Sequence, residues 1–205
     1  MIKFPRFLFL AAVLLPAVLL LPGRAVAGPT AELRATVAEV LELLFPGGVA
    51  EDPVGVMPQV REIIDKRFDF DVIARRSLGR GWTRLSEEQR TTFSRLFADL
   101  LMYSYTDRLA GLSRPDIEWG SVQQLGTNRL EIASTIVYQG ERYEVLYRLV
   151  EMRGDWQVYD LVIEGVSLVG NYRSQFTSVL DRRGPDELLR VLSERVDAQK
   201  GRSDG

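Results

Sequence analysis

Neither histidine nor cysteine occurs in the 205-residue chain. Without histidine, the commonest general base, the usual catalytic triads and most zinc sites are excluded. Without cysteine there is no structural disulfide, no thiolate metal site and no N-terminal cysteine to carry a lipid. A twin-arginine signal is missing, and Gly79-Arg80-Gly81 lacks the strand that a glycine-rich phosphate loop must follow. Long apolar runs are scarce as well. The run from Phe7 to Leu21 has 15 residues interrupted by Pro16, short of the roughly 20 that span a bilayer. Lys3 and Arg6 precede it and Ala25-Val26-Ala27 comes after it, the three-part pattern of a secretory signal peptide cut before Gly28.

Removal of residues 1–27 takes away Lys3, Arg6 and Arg24. That leaves 23 of the 26 basic residues against 28 acidic ones, a net charge of −5. A nucleic-acid binder needs a basic footprint, so no nucleic-acid partner is expected. The same balance works against sticking to anionic membrane surfaces. The remaining length suits a single domain over residues 28–198, with a polar, disordered tail over 199–205.

Helical spacing comes first along the chain. Leu33, Val37, Val40, Leu41 and Leu44 form one stripe from Ala31 to Phe45, ended by Pro46-Gly47-Gly48. A second helix, Met57 to Phe68, carries Val60, Ile63, Ile64 and Phe68, and a short one comes next over Phe70 to Leu78. Ser86-Glu87-Glu88-Gln89 is a capping box that opens the longest helix, to about Leu112. Four strands are expected near 116–123, 129–138, 142–151 and 155–163. Their short glycine-bearing separators predict an antiparallel meander and make Arg153-Gly154-Asp155 a plain turn. Gly184-Pro185-Asp186-Glu187 divides a helix from Leu168 to Arg183 from a last one with Leu188, Leu192 and Val196 on its apolar side.

Strict alternation places Tyr143, Val145, Tyr147 and Leu149 on one face of the third strand and Leu146 and Val150 on the other. It places Tyr159, Leu161 and Ile163 together on the fourth, with Trp156, Val158 and Val162 opposite. Both faces are apolar through the middle, so both need cover. Helices can fill that space solidly, or one face can line a hydrophobic cavity. All seven tyrosines fall between Tyr103 and Tyr172. They suit half-buried strands and helix faces, and equally a pocket apolar inside and wet at its mouth. Tyr147, Tyr159, Leu161 and Tyr172 are therefore candidate lining residues. Asp160 and Glu164 offer an acid–base pair, although carboxylates on a sheet are more often solvated or paired with arginine.

The chain is organised around Trp156 to Phe176. A β-branched, aromatic strand ends at Gly165, Ser167 can cap the next helix, and Leu168, Tyr172, Phe176, Val179 and Leu180 make a helical face. The block Trp156-Gln157-Val158-Tyr159-Asp160, Glu164-Gly165-Val166-Ser167 and Asn171-Tyr172-Arg173 lies downstream of Gln89-Arg90, Phe93, Phe97, Leu101, Tyr105 and Leu109. In these residues the chain resembles the MlaC family of periplasmic phospholipid-binding proteins, also called the toluene-tolerance family, from about Ala31 to Val196.

The resemblance implies an α+β fold: a four-stranded antiparallel sheet, like the cone of nuclear transport factor 2, wrapped by six or seven helices around an apolar cavity. It implies a monomeric periplasmic carrier, with no enzymatic step and no cofactor beyond its phospholipid cargo. Its expected partners are an inner-membrane ABC transporter complex and an outer-membrane lipoprotein–porin complex, between which it maintains lipid asymmetry. Carried over by position, Phe97, Leu101, Tyr105, Ile136 and Val166 line the cavity. Two acyl chains carry roughly 20 kcal/mol of exposure cost at about 0.8 kcal/mol per methylene, so a carrier must hide both. The charged head group can stay at the mouth, where Arg148 and Arg173 are candidates to meet a phosphate, beside their ordinary role as solvated charge. An empty cavity of that size is expected to collapse or fill. Two other functions fit the same residues: a small-molecule isomerase or hydratase using Asp160 and the tyrosines, and an adaptor gripping a partner helix in an apolar groove.

Overall fold

The computed structural model describes residues 28–104 and 109–203. The expected signal peptide and Tyr105 lie outside them. Helix α1 is Pro29–Leu44, α2 Met57–Asp65, α3 Phe70–Leu78 and α4 Glu87–Tyr103, and after the sheet comes α5, Leu168–Ser203. The strands are β1 Asp116–Gly126, β2 Arg129–Tyr138, β3 Glu141–Met152, β4 Asp155–Ile163 and β5 Val166–Ser167. They form one antiparallel sheet in the order β1-β2-β3-β4-β5.

The sheet therefore has five strands, not four. Gly165 does break β4, but Glu164 and Gly165 sit at φ 49° and 77°. Two successive positive φ values make a tight hairpin turn that sends the chain straight back. Val166 and Ser167 then pair with Ile163 and Val162 before α5 begins. Gln139-Gly140 and Arg153-Gly154 turn the chain in the same way, so the expected meander and its plain turn at Arg153 are present.

Five α-helices are described where six or seven were expected. The segment after the sheet is kinked at Gly184, whose φ 82° and ψ 179° are not helical, so the two helices expected on either side of it are present and meet end to end within α5. It also runs on to Ser203, where the sequence suggested a disordered tail from Gln199. Lys200 lies 3.5 Å from Asp99 and over the Tyr103 ring, which holds that end against α4. The capping box at Ser86 and Gln89 forms as expected, but α4 stops at Tyr103, well before Leu112.

Inside β4 the alternation reverses. Leu149 faces Val158 and Arg148 faces Asp160, so Tyr159 is an extra, unpaired residue. Such a bulge moves everything before it to the opposite face. Val158 and Trp156 consequently join Leu161 on the face of Tyr147 and Leu149 instead of lying across from them. Tyr159 is left under the Arg76 guanidinium, 4.1 Å from its ring.

Three apolar clusters hold these layers together. Leu33 and Val37 of α1 cover Ile132, Tyr147 and Leu149 on the sheet. Residues of α3, α4 and α5 form a helical core around Phe93, Phe97 and Phe176. The end of α1 packs on α2 and the end of α4 through Leu44, Phe45, Met57 and Val60.

Candidate functional site

Between the first two clusters lies a cavity of about 260 Å³. Its sheet wall is Val158, Leu161 and Ile163 of β4, and its opposite wall is Leu101 and Met102 at the end of α4. Ile64, Phe68, Phe70 and Ile73 close it from the α2–α3 side, and Leu168 from the start of α5. Ile163 is 39% exposed and its partner Val166 59% exposed, so this end of the cavity reaches the surface beside an apolar strand pair.

The α2–α3 wall is seated on the sheet by backbone and charge. The β5 pairing covers only the far end of β4, and the Arg67–Phe68 segment takes the vacant edge. Val158 donates to the Arg67 carbonyl at 2.8 Å, and Phe68 bridges Val158 in parallel. The Arg67 guanidinium reaches Glu32 at 2.8 Å, Asp155 at 3.0 Å and the Trp156 carbonyl at 2.9 Å. One arginine thereby ties α1 and the α2–α3 junction to the β3–β4 hairpin. Asp69 accepts from the Val72 amide at 2.9 Å and caps α3 directly behind the two phenylalanines.

Asp160 is the polar residue of the lining, and it is fully engaged. Its Oδ1 accepts from the Val169 amide at 3.0 Å. Its Oδ2 accepts from Ser167 Oγ at 2.7 Å and faces Arg148 Nη1 at 3.4 Å. Ser167 Oγ in turn accepts from the Gly170 amide at 2.9 Å, the helix cap expected of it. A carboxylate 5% exposed and held by three donors secures a strand to a helix start; it has no geometry for moving protons. Glu164 does not approach it and accepts instead from the Glu144 amide. The two arginines considered for a phosphate are also engaged. Arg148 bonds Glu131 at 2.9 Å, and Arg173 donates to the Arg76 carbonyl at 3.0 and 2.6 Å, closing the end of α3. Among the described residues no group of acidic side chains is arranged to hold a metal ion, and no helix is long and apolar enough to cross a membrane.

The nine candidate lining residues separate in space. Leu101 and Leu161 face each other across the cavity, and Val166 stands at its exposed edge. Ile136 and Tyr147 share the sheet face of Leu161 but belong to the cluster under α1, where Tyr147 lies against Trp119 and burial pushes its phenol pKa up. Phe97 and Tyr172 meet edge to face at 4.9 Å inside the helical core, outside the cavity wall. Tyr159 is turned away by the bulge, and Tyr105 lies outside the described residues. Phe70, Ile73, Met102, Val158 and Leu168 line the cavity without having been singled out for it. Ile64 and Phe68 did carry a signal, since they share the apolar stripe read for the second helix.

Comparisons with known proteins fit this architecture. The family model described as MlaC protein matches residues 34–194. The intermembrane phospholipid transport system binding protein MlaC of Haemophilus influenzae is 25% identical over 151 residues, covering 71% of this chain and 71% of that protein. Among solved structures, the phospholipid-binding protein from Ralstonia solanacearum, determined in complex with a phospholipid, superposes with a TM-score of 0.73. It is 25% identical and the alignment covers 83% of this chain and 97% of that one. With a family match across most of its length and the same fold in a relative, the chain belongs to the MlaC family.

Proposed function

We propose that this protein is a periplasmic phospholipid carrier that shelters acyl chains between β4 and the α2–α3 and α4 walls. On this reading residues 1–27 are a cleaved signal peptide and the rest is one lipid-binding domain. The single observation that carries it is the cavity itself, apolar on every side except at Asp160, whose carboxylate is already satisfied. The phospholipid seen with the Ralstonia relative supports the same cargo here.

At about 30 Å³ for a water-sized group, the 260 Å³ available holds about nine methylenes. A full pair of chains therefore requires the walls to part. The wall formed by Ile64, Phe68, Phe70 and Ile73 meets β4 through one backbone hydrogen bond, the Arg67 contacts and a Gln157 side-chain bond to the Lys66 carbonyl, whereas β3 and β4 share eight paired positions interrupted by a single bulge. That wall is the one to move. Delivery runs between an outer-membrane lipoprotein–porin complex and an inner-membrane ABC transporter. The mature net charge of −5 disfavours unloading onto bare anionic membrane and leaves handover to docked partners.

Organic extraction of the purified mature protein followed by mass spectrometry tests this reading. About stoichiometric phospholipid is expected; protein free of lipid that also takes none from vesicles would overturn it. An enzyme at Asp160 would need that carboxylate free, and its three donors argue against this.

A further inference from the structure

Six large apolar side chains are exposed among the described residues, and three of them, Tyr143, Ile163 and Val166, lie together. Val166 pairs with Ile163, Ile163 pairs with Val145, and Tyr143 stands two residues from Val145 on the same face of β3. They form an apolar lip at one end of the sheet. It is continuous with the cavity, because Ile163 also lines the cavity wall. Exposed apolar side chains gathered in one place, and not scattered singly, mark a surface that something covers.

The surroundings of the lip are acidic. Glu141 and Glu144 are exposed on either side of Tyr143 in β3, and Glu164 occupies the turn between Ile163 and Val166. Glu164 accepts from the Glu144 amide, which holds its carboxylate at this end of the sheet. The neighbouring Arg142 is taken by Glu118. Among the described residues Glu141, Glu144 and Glu164 form no ion pair, so the rim carries three negative charges without a counter-charge. That sign selects the occupant. A second copy of the chain would bring like charges face to face across a two-fold axis. An anionic bilayer would repel them too. A surface bearing lysine or arginine completes them.

We infer that this lip is the docking site of a protein partner whose contact surface is apolar at its centre and lined with basic side chains. Such docking presupposes the carrier reading above and adds to it the surface by which handover occurs. Acyl chains leave at Ile163 and Val166, and an apolar cover pressed onto the lip lets them pass without crossing water. The carboxylates steer the approach and fix its orientation, which makes docking sensitive to salt.

The test loads mature protein with fluorescent phosphatidylethanolamine from detergent solution. It then follows transfer into phosphatidylcholine vesicles, either bare or carrying the inner-membrane ABC transporter complex or the outer-membrane lipoprotein–porin complex. The parent is expected to deliver to at least one of these partners, faster than into bare vesicles, and to slow as salt is added. The double variant Glu141→Arg with Glu144→Arg should load like the parent and deliver about tenfold more slowly at low salt, the scale of a lost electrostatic steering. Tyr143→Ser, which leaves the cavity lining intact, should slow delivery several-fold at every salt concentration. Parental rates and salt dependence in both variants would overturn the docking site and leave the carrier reading standing. So would transfer to neither partner, or transfer into bare vesicles at the same rate. A parent dimer in sedimentation equilibrium that Tyr143→Ser dissolves would give the lip to a second copy and likewise overturn it. Failure of the parent to load any phospholipid would overturn both.

Discussion

Ser167 donates a 2.7 Å hydrogen bond to the Asp160 carboxylate across the turn joining β4 to α5. The same hydroxyl accepts from the Gly170 amide, while the other oxygen of Asp160 accepts from Val169. The Tyr-Asp and Glu-Gly-Val-Ser elements of the family block are therefore the two halves of one clasp. It holds the first turn of α5 against the sheet beside the cavity.

Breaking that clasp should cost stability. Ser167→Ala is expected to lose about 1–2 kcal/mol in urea unfolding, the cost of a cap and one charged hydrogen bond. Asp160→Leu should lose about 3 kcal/mol, because it strands two buried donors and the Arg148 charge. An Asp160→Leu protein with parental stability would contradict the assignment.

Filling the cavity should exclude lipid without unfolding the chain. Leu161→Phe directs a ring into the space facing Leu101. Extra volume in a filled core costs about 1–3 kcal/mol; with a cavity to receive it, the cost should fall below that range. Extractable phospholipid per protein should drop several-fold while the thermal midpoint stays near that of the parent. Parental lipid content in this variant would place the tails elsewhere.

Val166→Glu tests the surface end of the site. Val166 is 59% exposed, so a surface substitution there should change stability by no more than about 0.5 kcal/mol. A carboxylate beside Ile163 would nevertheless lie where chains must pass, and lipid carriage should be abolished. Equal lipid in variant and parent would remove Val166 from the path.

Acid should act through Glu187 on α5. Hydrogen bonds from Arg190 and Arg183 hold its pKa down to about 2, from an ordinary value of 4.5. A depressed carboxylate stabilises the folded protein above the unfolded pKa, and that contribution fades as pH falls through the folded one. The stability difference between parent and Glu187→Gln, measured by thermal unfolding, should be largest at pH 6 and shrink between pH 4.5 and 2. Because the group is exposed, added salt should shrink it too.

Alkali should act through Tyr147. Burial pushes its phenol above the ordinary 10.0, so the unfolded chain ionises first and stability falls as pH rises past that value. Tyr147→Phe should lose less stability between pH 9 and 11 than the parent. An identical alkaline loss in both proteins would remove Tyr147 as its source.

Local chemistry carried a large part of the fold. The capping box at Ser86 and Gln89, the turns at Gly140 and Gly154 and the cap at Ser167 each depend on a few adjacent residues. All were readable as such. The stripe containing Ile64 and Phe68 likewise pointed to a buried face, and those two residues became part of the cavity wall. Less legible was the two-residue β5, too short for any periodicity. The continuation of α5 depends on Lys200 reaching Asp99 from 101 positions away in the chain.

What the sequence determined on its own was the order of elements, the antiparallel meander and the family block between Trp156 and Arg173. These depend on contacts within a few residues, where spacing and residue type suffice. Which side chains meet around the cavity was decided only by tertiary structure. One extra residue at Tyr159 reversed the facing of Val158, and Phe97 turned to Tyr172 and Phe176 while Leu101, one turn on, faced the sheet. A strand records alternation but not where a bulge interrupts it, and a cavity belongs to elements that meet only once the whole chain is packed.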